Sequence, residues 1–154
     1  HPLAFYAAYF SIRAKAFDLR IMTGDLKTQL TEFNRIKALD RAASPKDKDL
    51  MSALEVSMEM YQRGYRFINV DIQHSEARRF SIKDGALLPP FLAIDSLGET
   101  VADAIVEERN ERPFTSLKDL QRRCKVSNTI IDLMKELKCC GELPEDEQMS
   151  LFGA

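Results

Sequence analysis

Turn-forming residues punctuate this chain so closely that it can fold only as short helices interrupted by one β excursion. Ser44-Pro45, Gly64, Asp84-Gly85, Pro89-Pro90, Gly98 and Arg112-Pro113 separate stretches whose apolar residues mostly keep helical spacing. Proline lacks the amide donor a helix interior needs, and glycine readily ends a helix. The first stretch, residues 2 to about 15, carries Leu3, Tyr6, Ala7 and Phe10 at helical spacing, with Pro2 tolerated in the first turn. The pattern breaks over Met22 to Asp25. A second helix is predicted from about Asp25 to Leu39, with Leu26, Leu30, Phe33 and Ile36 on one side. Ser44 then supplies a cap and Pro45 a first helical position for a helix that ends near Gly64.

The β excursion follows. Phe67-Ile68-Asn69-Val70 has the composition of a short strand. Arg79 to Ile82 and Ala86 to Leu88 form the arms of a hairpin whose turn is Asp84-Gly85. After Pro89-Pro90 the chain is helical again. A short helix runs to about Ile94, a turn occupies Asp95-Ser96-Leu97-Gly98, and a longer helix spans Glu99 to about Glu111. Ser116 and Ser127 cap two further helices, ending near Arg123 and Lys138. The expected fold is mainly α with a small β hairpin.

Composition narrows the function classes. The 154 residues carry a formal net charge of -2, so any contact with nucleic acid must come from a local patch. Cys124, Cys139 and Cys140 show no paired zinc-knuckle spacing, so neither they nor the lone His74 predicts a metal site. No apolar run is long enough to span a membrane. There is no phosphate-binding Walker loop, no nucleophile elbow, no H-E-x-x-H and no pair of strand-borne aspartates for two metal ions. Asp71 is a single carboxylate at the end of a possible strand. No catalytic residue is assigned. The opening His1-Pro2-Leu3 lacks an initiator Met and a signal-peptide layout, which suggests a piece of a longer protein.

Three segments point to binding. Ile94-Asp95-Ser96-Leu97-Gly98, followed by Ala102 and Ile105, has the outline of a helix-hairpin-helix: an apolar residue, a turn, an apolar residue, glycine, then apolar helix positions. In that motif the open amides and positive dipole end of the second helix hold a DNA phosphate without reading bases. The corresponding contacts here are Ser96, Leu97, Gly98 and Thr100. The chain departs from the motif with Ser96 where glycine is usual and Thr100 where lysine is frequent, and Glu99 adds a negative charge. Residues 115–138 resemble a degenerate second copy, with Leu117 and Leu120 in its first helix, Val126 in the turn, and Ile130, Ile131 and Met134 in its second helix. Between these helices Arg122, Arg123 and Lys125 make a basic stretch, either a DNA-backbone patch or an ordinary solvated face at a helix end.

The third segment lies at the C-terminal end. Glu142 to Glu147 is acidic and has the composition of an exposed tether. Gln148-Met149-Ser150-Leu151-Phe152 follows, with two large apolar side chains and little of its own to bury them. Such a pair either seats in a partner's pocket or folds back on its own domain.

Several collinear landmarks carry a resemblance. These are His1 to Phe10, Ala43-Ser44-Pro45-Lys46-Asp47-Lys48, Arg63-Gly64-Tyr65, Asn69-Val70-Asp71, Leu88-Pro89-Pro90-Phe91, Pro113-Phe114-Thr115-Ser116 and Lys125-Val126-Ser127. In this order they resemble the end of the alpha subunit of bacterial DNA polymerase III of the PolC type. The resemblance implies a late fingers portion over residues 1–70 and a β hairpin with a helix-hairpin-helix domain over 71–144. It implies a flexible tail over 145–154, whose Gln148, Met149, Ser150, Leu151 and Phe152 dock on the β sliding clamp. It further implies duplex DNA and the remainder of a polymerase as partners, and a bacterial cytoplasmic location. The nucleotidyltransferase chemistry and its Mg²⁺ would then lie in a palm upstream of His1, with no cofactor in these residues. The alternative is a stand-alone DNA-repair or scaffold module that combines a helix-hairpin-helix with a clamp-binding peptide.

Overall fold

A computed structural model describes residues 1–147. Helix α1 spans Pro2–Ile12 and passes into a 3-10 turn at Ala14–Ala16, so the predicted first helix ends earlier and tighter than its apolar spacing implies. A short α2 (Leu19–Met22) and α3 (Leu26–Leu39) follow, each begun by an aspartate: Asp18 accepts from the Ile21 amide and Asp25 from the Thr28 amide. Helix α4 (Pro45–Gln62) opens with a full capping box. The Asp47 amide donates to Ser44 Oγ at 3.0 Å, and the Ser44 amide donates to an Asp47 carboxylate oxygen at 3.1 Å. Gly64 beyond the helix end has φ 91°, a left-handed conformation that glycine adopts without penalty.

Helices α3 and α4 pack against each other around Ile36, Leu54 and a buried polar link. Ser57 Oγ donates to Gln29 Oε1 at 2.6 Å, and Gln29 Nε2 donates to the Met22 carbonyl at 3.1 Å. Tyr61 donates its hydroxyl to the same carbonyl at 2.8 Å. Three elements that approach only in the tertiary structure are thereby fixed by satisfied polar groups, which burial makes costly to disturb.

The β hairpin consists of β1 (Ser81–Lys83) and β2 (Ala86–Leu88), paired antiparallel with Ile82 opposite Leu87. Asp84 (φ 51°) and Gly85 (φ 76°) make the two-residue turn, both left-handed as a hairpin of this length favours. The first arm is shorter than expected because the Phe80 amide leaves the ladder and donates to Ser11 Oγ on α1 at 2.9 Å. Phe67–Val70, expected as a strand, is not one. Phe67 makes a single parallel bridge to Leu87, and the Ile68 amide donates to the Leu87 carbonyl at 2.9 Å. Beyond it the chain turns so that Phe67, Val70 and Ile72 are buried while Asn69 reaches to the Leu137 carbonyl.

A cluster of phenylalanines ties the first helices to this hairpin. Phe10, Phe17, Phe67 and Phe80 meet edge-on or tilted, with ring centroids 4.8 Å apart for Phe17–Phe67 and 5.0 Å for Phe17–Phe80. The apolar core continues without a break from Leu3 to Cys140. One apolar cluster thus holds residues from both sides of position 70.

After a 3-10 turn at Phe91–Ala93 come α5 (Glu99–Glu111), α6 (Leu117–Cys124) and α7 (Asn128–Glu136). The fold among the described residues is seven α-helices and one two-stranded hairpin. The acidic segment after Gly141 is not a free tether. The amides of Leu117 and Lys118 donate to the carbonyls of Pro144 and Glu145 at 2.8 and 3.1 Å, and Leu143 packs against the core. These bonds satisfy open donors in the first turn of α6. Lys135 adds an ion pair to Glu145 at 2.5 Å.

Candidate nucleic-acid interface

The turn before α5 takes the shape its sequence suggests, for a sharper reason. Ser96 has φ 65°, in the left-handed region where glycine is usual. Leu97 is buried and anchors the turn, its amide donating to the Ile94 carbonyl at 3.1 Å. Gly98, by contrast, has an ordinary extended backbone (φ -82°, ψ 171°), and a Cβ there would meet nothing within 4 Å. What glycine contributes at this position is the lack of a capping side chain. The first amides of α5, including that of Thr100, have no intrahelical acceptor and no side chain folded over them. Ala102 and Ile105, both fully buried, hold the helix against the core.

Glu99 is less of an obstacle to an anion than its charge implies. Arg78 approaches Glu99 at 3.5 Å and makes a two-pronged contact with Asp103, at 3.1 and 2.6 Å. Hydrogen bonding to Arg78 lowers the Asp103 carboxyl below its usual range. The turn also forms one wall of a cleft of about 480 Å³. Lys15, Arg20 and Lys46, from the first four helices and their connections, also line it, together with Asp18 and Asp95.

Residues 117–134 repeat the geometry. Lys125 (φ 57°) stands where Ser96 does, buried Val126 where Leu97 does, and the cap Ser127 where Gly98 does. Ile131 and Met134 follow at the spacing of Ala102 and Ile105 and are likewise buried. The two turns differ chemically. Ser127 Oγ accepts from the Ile130 amide at 3.2 Å, so α7 starts closed where α5 starts open.

The basic stretch divides. Arg122 is exposed but held 2.9 Å from Asp119, and Lys125 is exposed at the end of α6. Arg123 is no surface cation: its side chain is 7% exposed and its donors are occupied. It reaches Asp119 at 3.1 Å, Glu108 at 3.2 Å and the Arg112 carbonyl at 3.0 Å, and it lies over the Phe114 ring at 4.6 Å. Asp119 is fully buried. Burial opposes its ionisation, but the Thr115 amide and the Arg123 guanidinium outweigh that and hold its carboxyl below the usual range. Arg123 also locks α5 to α6, through Glu108 and the Arg112 carbonyl. Spacing alone does not disclose this link, because Glu108 and Arg123 are 15 residues apart and meet only through helix packing.

Arg109 makes a second long-range tie that the sequence pattern does not reveal. Its Nη1 donates to the carbonyls of Ile72 and Ser75 at 3.1 and 2.7 Å, tying α5 to the turn that follows Val70. Within that turn the Asp71 carboxylate accepts from His74 Nδ1 at 2.6 Å, so the two are structural partners of each other. All three cysteines are buried and unbridged, and burial pushes the Cys124 thiol up to about 11. No group of three or more metal-ligating side chains converges among the described residues. Gln148, Met149, Ser150, Leu151 and Phe152 lie outside the described residues.

Comparison with known proteins agrees with the turns. A model of the helix-hairpin-helix motif matches residues 64–148. A DNA polymerase III PolC-type from Caldanaerobacter subterraneus subsp. tengcongensis is 41% identical over 152 residues, covering 99% of this chain. One from Streptococcus pyogenes is 43% identical over 155 residues, again covering 99% of the chain. The chain spans only 11% and 10% of these two relatives, about a tenth of their length. With one open hairpin turn, a closed copy of it, and identity running through both, the chain belongs to the helix-hairpin-helix family and is homologous along nearly its whole length to part of PolC-type DNA polymerase III.

Proposed function

We propose that this chain is the C-terminal part of a replicative DNA-directed DNA polymerase, that it grips the backbone of duplex DNA, and that it tethers the polymerase to the β sliding clamp. The observation that carries the DNA contact is the open start of α5: a left-handed Ser96, an uncapped Gly98 and the Thr100 amide, beside a cleft that Lys15, Arg20 and Lys46 help to line. Such a site takes one phosphate oxygen by amide hydrogen bonds and dipole, and it carries no sequence information. Arg122 and Lys125 add long-range attraction from the second turn, while Arg123 holds α6 to α5 through Glu108. The binding would weaken steeply with salt, because released counterions supply much of its free energy.

The clamp contact belongs to Gln148 to Phe152. In this reading Leu151 and Phe152 fill an apolar pocket on the clamp, and Gln148 anchors the peptide by its amide. Attachment to a ring encircling DNA raises the effective concentration of the polymerase at the primer end, which is the physical basis of processivity. Catalysis, with its Mg²⁺, would reside in the palm of the parent polymerase in the bacterial cytoplasm, and no step of it is assigned to these residues. Within the chain itself, no helix among the described residues is long and apolar enough to cross a membrane. Calorimetric titration with the β clamp tests the tether: Leu151→Ala with Phe152→Ala should abolish binding, and undiminished affinity would refute this assignment.

A further inference from the structure

Helix α1 has no charged residue between Pro2 and Ile12, and its apolar character runs all the way round. A helix of that kind belongs inside a protein, since an outward face in water would normally be polar. Only one side is covered here: Leu3, Tyr6 and Phe10 are buried, whereas Phe5 is 62% and Ile12 83% exposed. Phe5, Tyr9 and Ile12 fall at i, i+4 and i+7, so they share a face. The Phe5 and Tyr9 rings stack with centroids 6.4 Å apart, and the Arg13 guanidinium lies 3.9 Å above Tyr9. Ala4 and Ala8, both exposed, interleave with them and keep the face shallow. Among the described residues the other exposed large apolar side chains are Leu26, Leu30 and Ile82, and they lie on α3 and β1, elements that carry charged residues where α1 carries none.

We infer that this outer face of α1 is an internal contact surface, covered by another region of the same polypeptide that lies outside these 154 residues. This rests on reading the chain as part of a longer polymerase. The matched relatives are about ten times its length, so most of such a polypeptide is available to cover the face. The chemistry specifies the occupant. A flat strip of aromatic and aliphatic groups fits an apolar helix or sheet face, and the Arg13 guanidinium at its margin fits a carboxylate or carbonyl group on that neighbour. A nucleic acid backbone is a poor fit, because the strip is apolar and offers it a single cation, Arg13, at its margin. Lone exposed apolar residues are common, but a contiguous strip on an uncharged helix marks a contact.

The test is photo-crosslinking in the polypeptide encoded by the full open reading frame. p-Benzoylphenylalanine is placed separately at Phe5, at Ile12 and, as a control, at exposed Lys37 on α3. Tryptic mapping should find adducts from Phe5 and Ile12 to peptides of the same polypeptide outside the 154 residues, and none of these from Lys37. Adducts to a second copy, adducts confined to the 154 residues, or no adducts at either position would overturn the inference. An open reading frame no longer than this chain would instead remove the reading on which it rests.

Discussion

The Leu117 amide donates to the Pro144 carbonyl across 2.8 Å, closing an acidic segment onto the first turn of α6. Composition alone assigns that segment to solvent, because four of the six residues from Glu142 to Glu147 are acidic. The backbone bonds at Pro144 and Glu145 make it part of the folded unit. Native-state hydrogen exchange should therefore show the Leu117 and Lys118 amides protected, and replacing residues 142–147 by a Gly-Ser run should release them. Fast exchange at both amides in the unaltered chain would contradict the packing.

Arg122 and Arg123 are adjacent in sequence and opposite in role. Truncating an exposed arginine removes little, whereas breaking a buried pair strands its carboxylate. Arg123→Ala should lower unfolding stability by about 3 kcal/mol, and Arg122→Ala by less than about 1 kcal/mol, as read by urea denaturation. Arg123→Lys should restore little, since an ammonium cannot reach Asp119, Glu108 and two or more carbonyls from one position. Equal effects of the two alanine variants would place Arg123 at the surface after all.

Asp119 gives the fold an acid-sensitive point. Its carboxyl is lowered in the folded chain, from an ordinary value of 3.8. A lowered folded value means that the unfolded chain takes up the proton first as pH falls. The contribution is therefore complete above about pH 5 and is lost as pH drops through 3.8 toward the lower folded value. Thermal unfolding between pH 7 and 3 should show Asp119→Asn less stable than the parent at neutral pH, with the gap narrowing at the acid end. A gap that widens with acid would reverse the assigned sign.

How far the sequence discloses this structure depends on the range of the interaction involved. The Ser44 cap, the Asp84-Gly85 turn and the Ser116 and Ser127 caps are local chemistry, and each stands where spacing placed it. Phe67 to Val70 failed as a strand because a β-rich composition does not ensure a full partner, and β2 offers it one bridge. Arg123 and the acidic segment misled because charge looks solvated until a distant carboxylate, carbonyl or amide is in view. The hairpin turn was legible as a pattern, but its open chemistry emerged only from the backbone angles at Ser96 and Gly98.

The most direct test of the DNA contact uses Gly98→Asp, because its two effects have opposite signs. The backbone at Gly98 suits a capping residue, space is open, and Ser127 occupies the matching place in the second turn. An aspartate cap should stabilise α5 by roughly 0.5 kcal/mol while occupying the amides that a phosphate would use. Fluorescence anisotropy on duplex DNA, titrated over a range of salt, should show sequence-independent binding that weakens steeply with salt. Gly98→Asp should weaken it on the order of tenfold, the scale of lost hydrogen bonds to a charged group. Unchanged affinity in a variant that is at least as stable, or salt-insensitive and sequence-selective binding by the parent chain, would contradict the account.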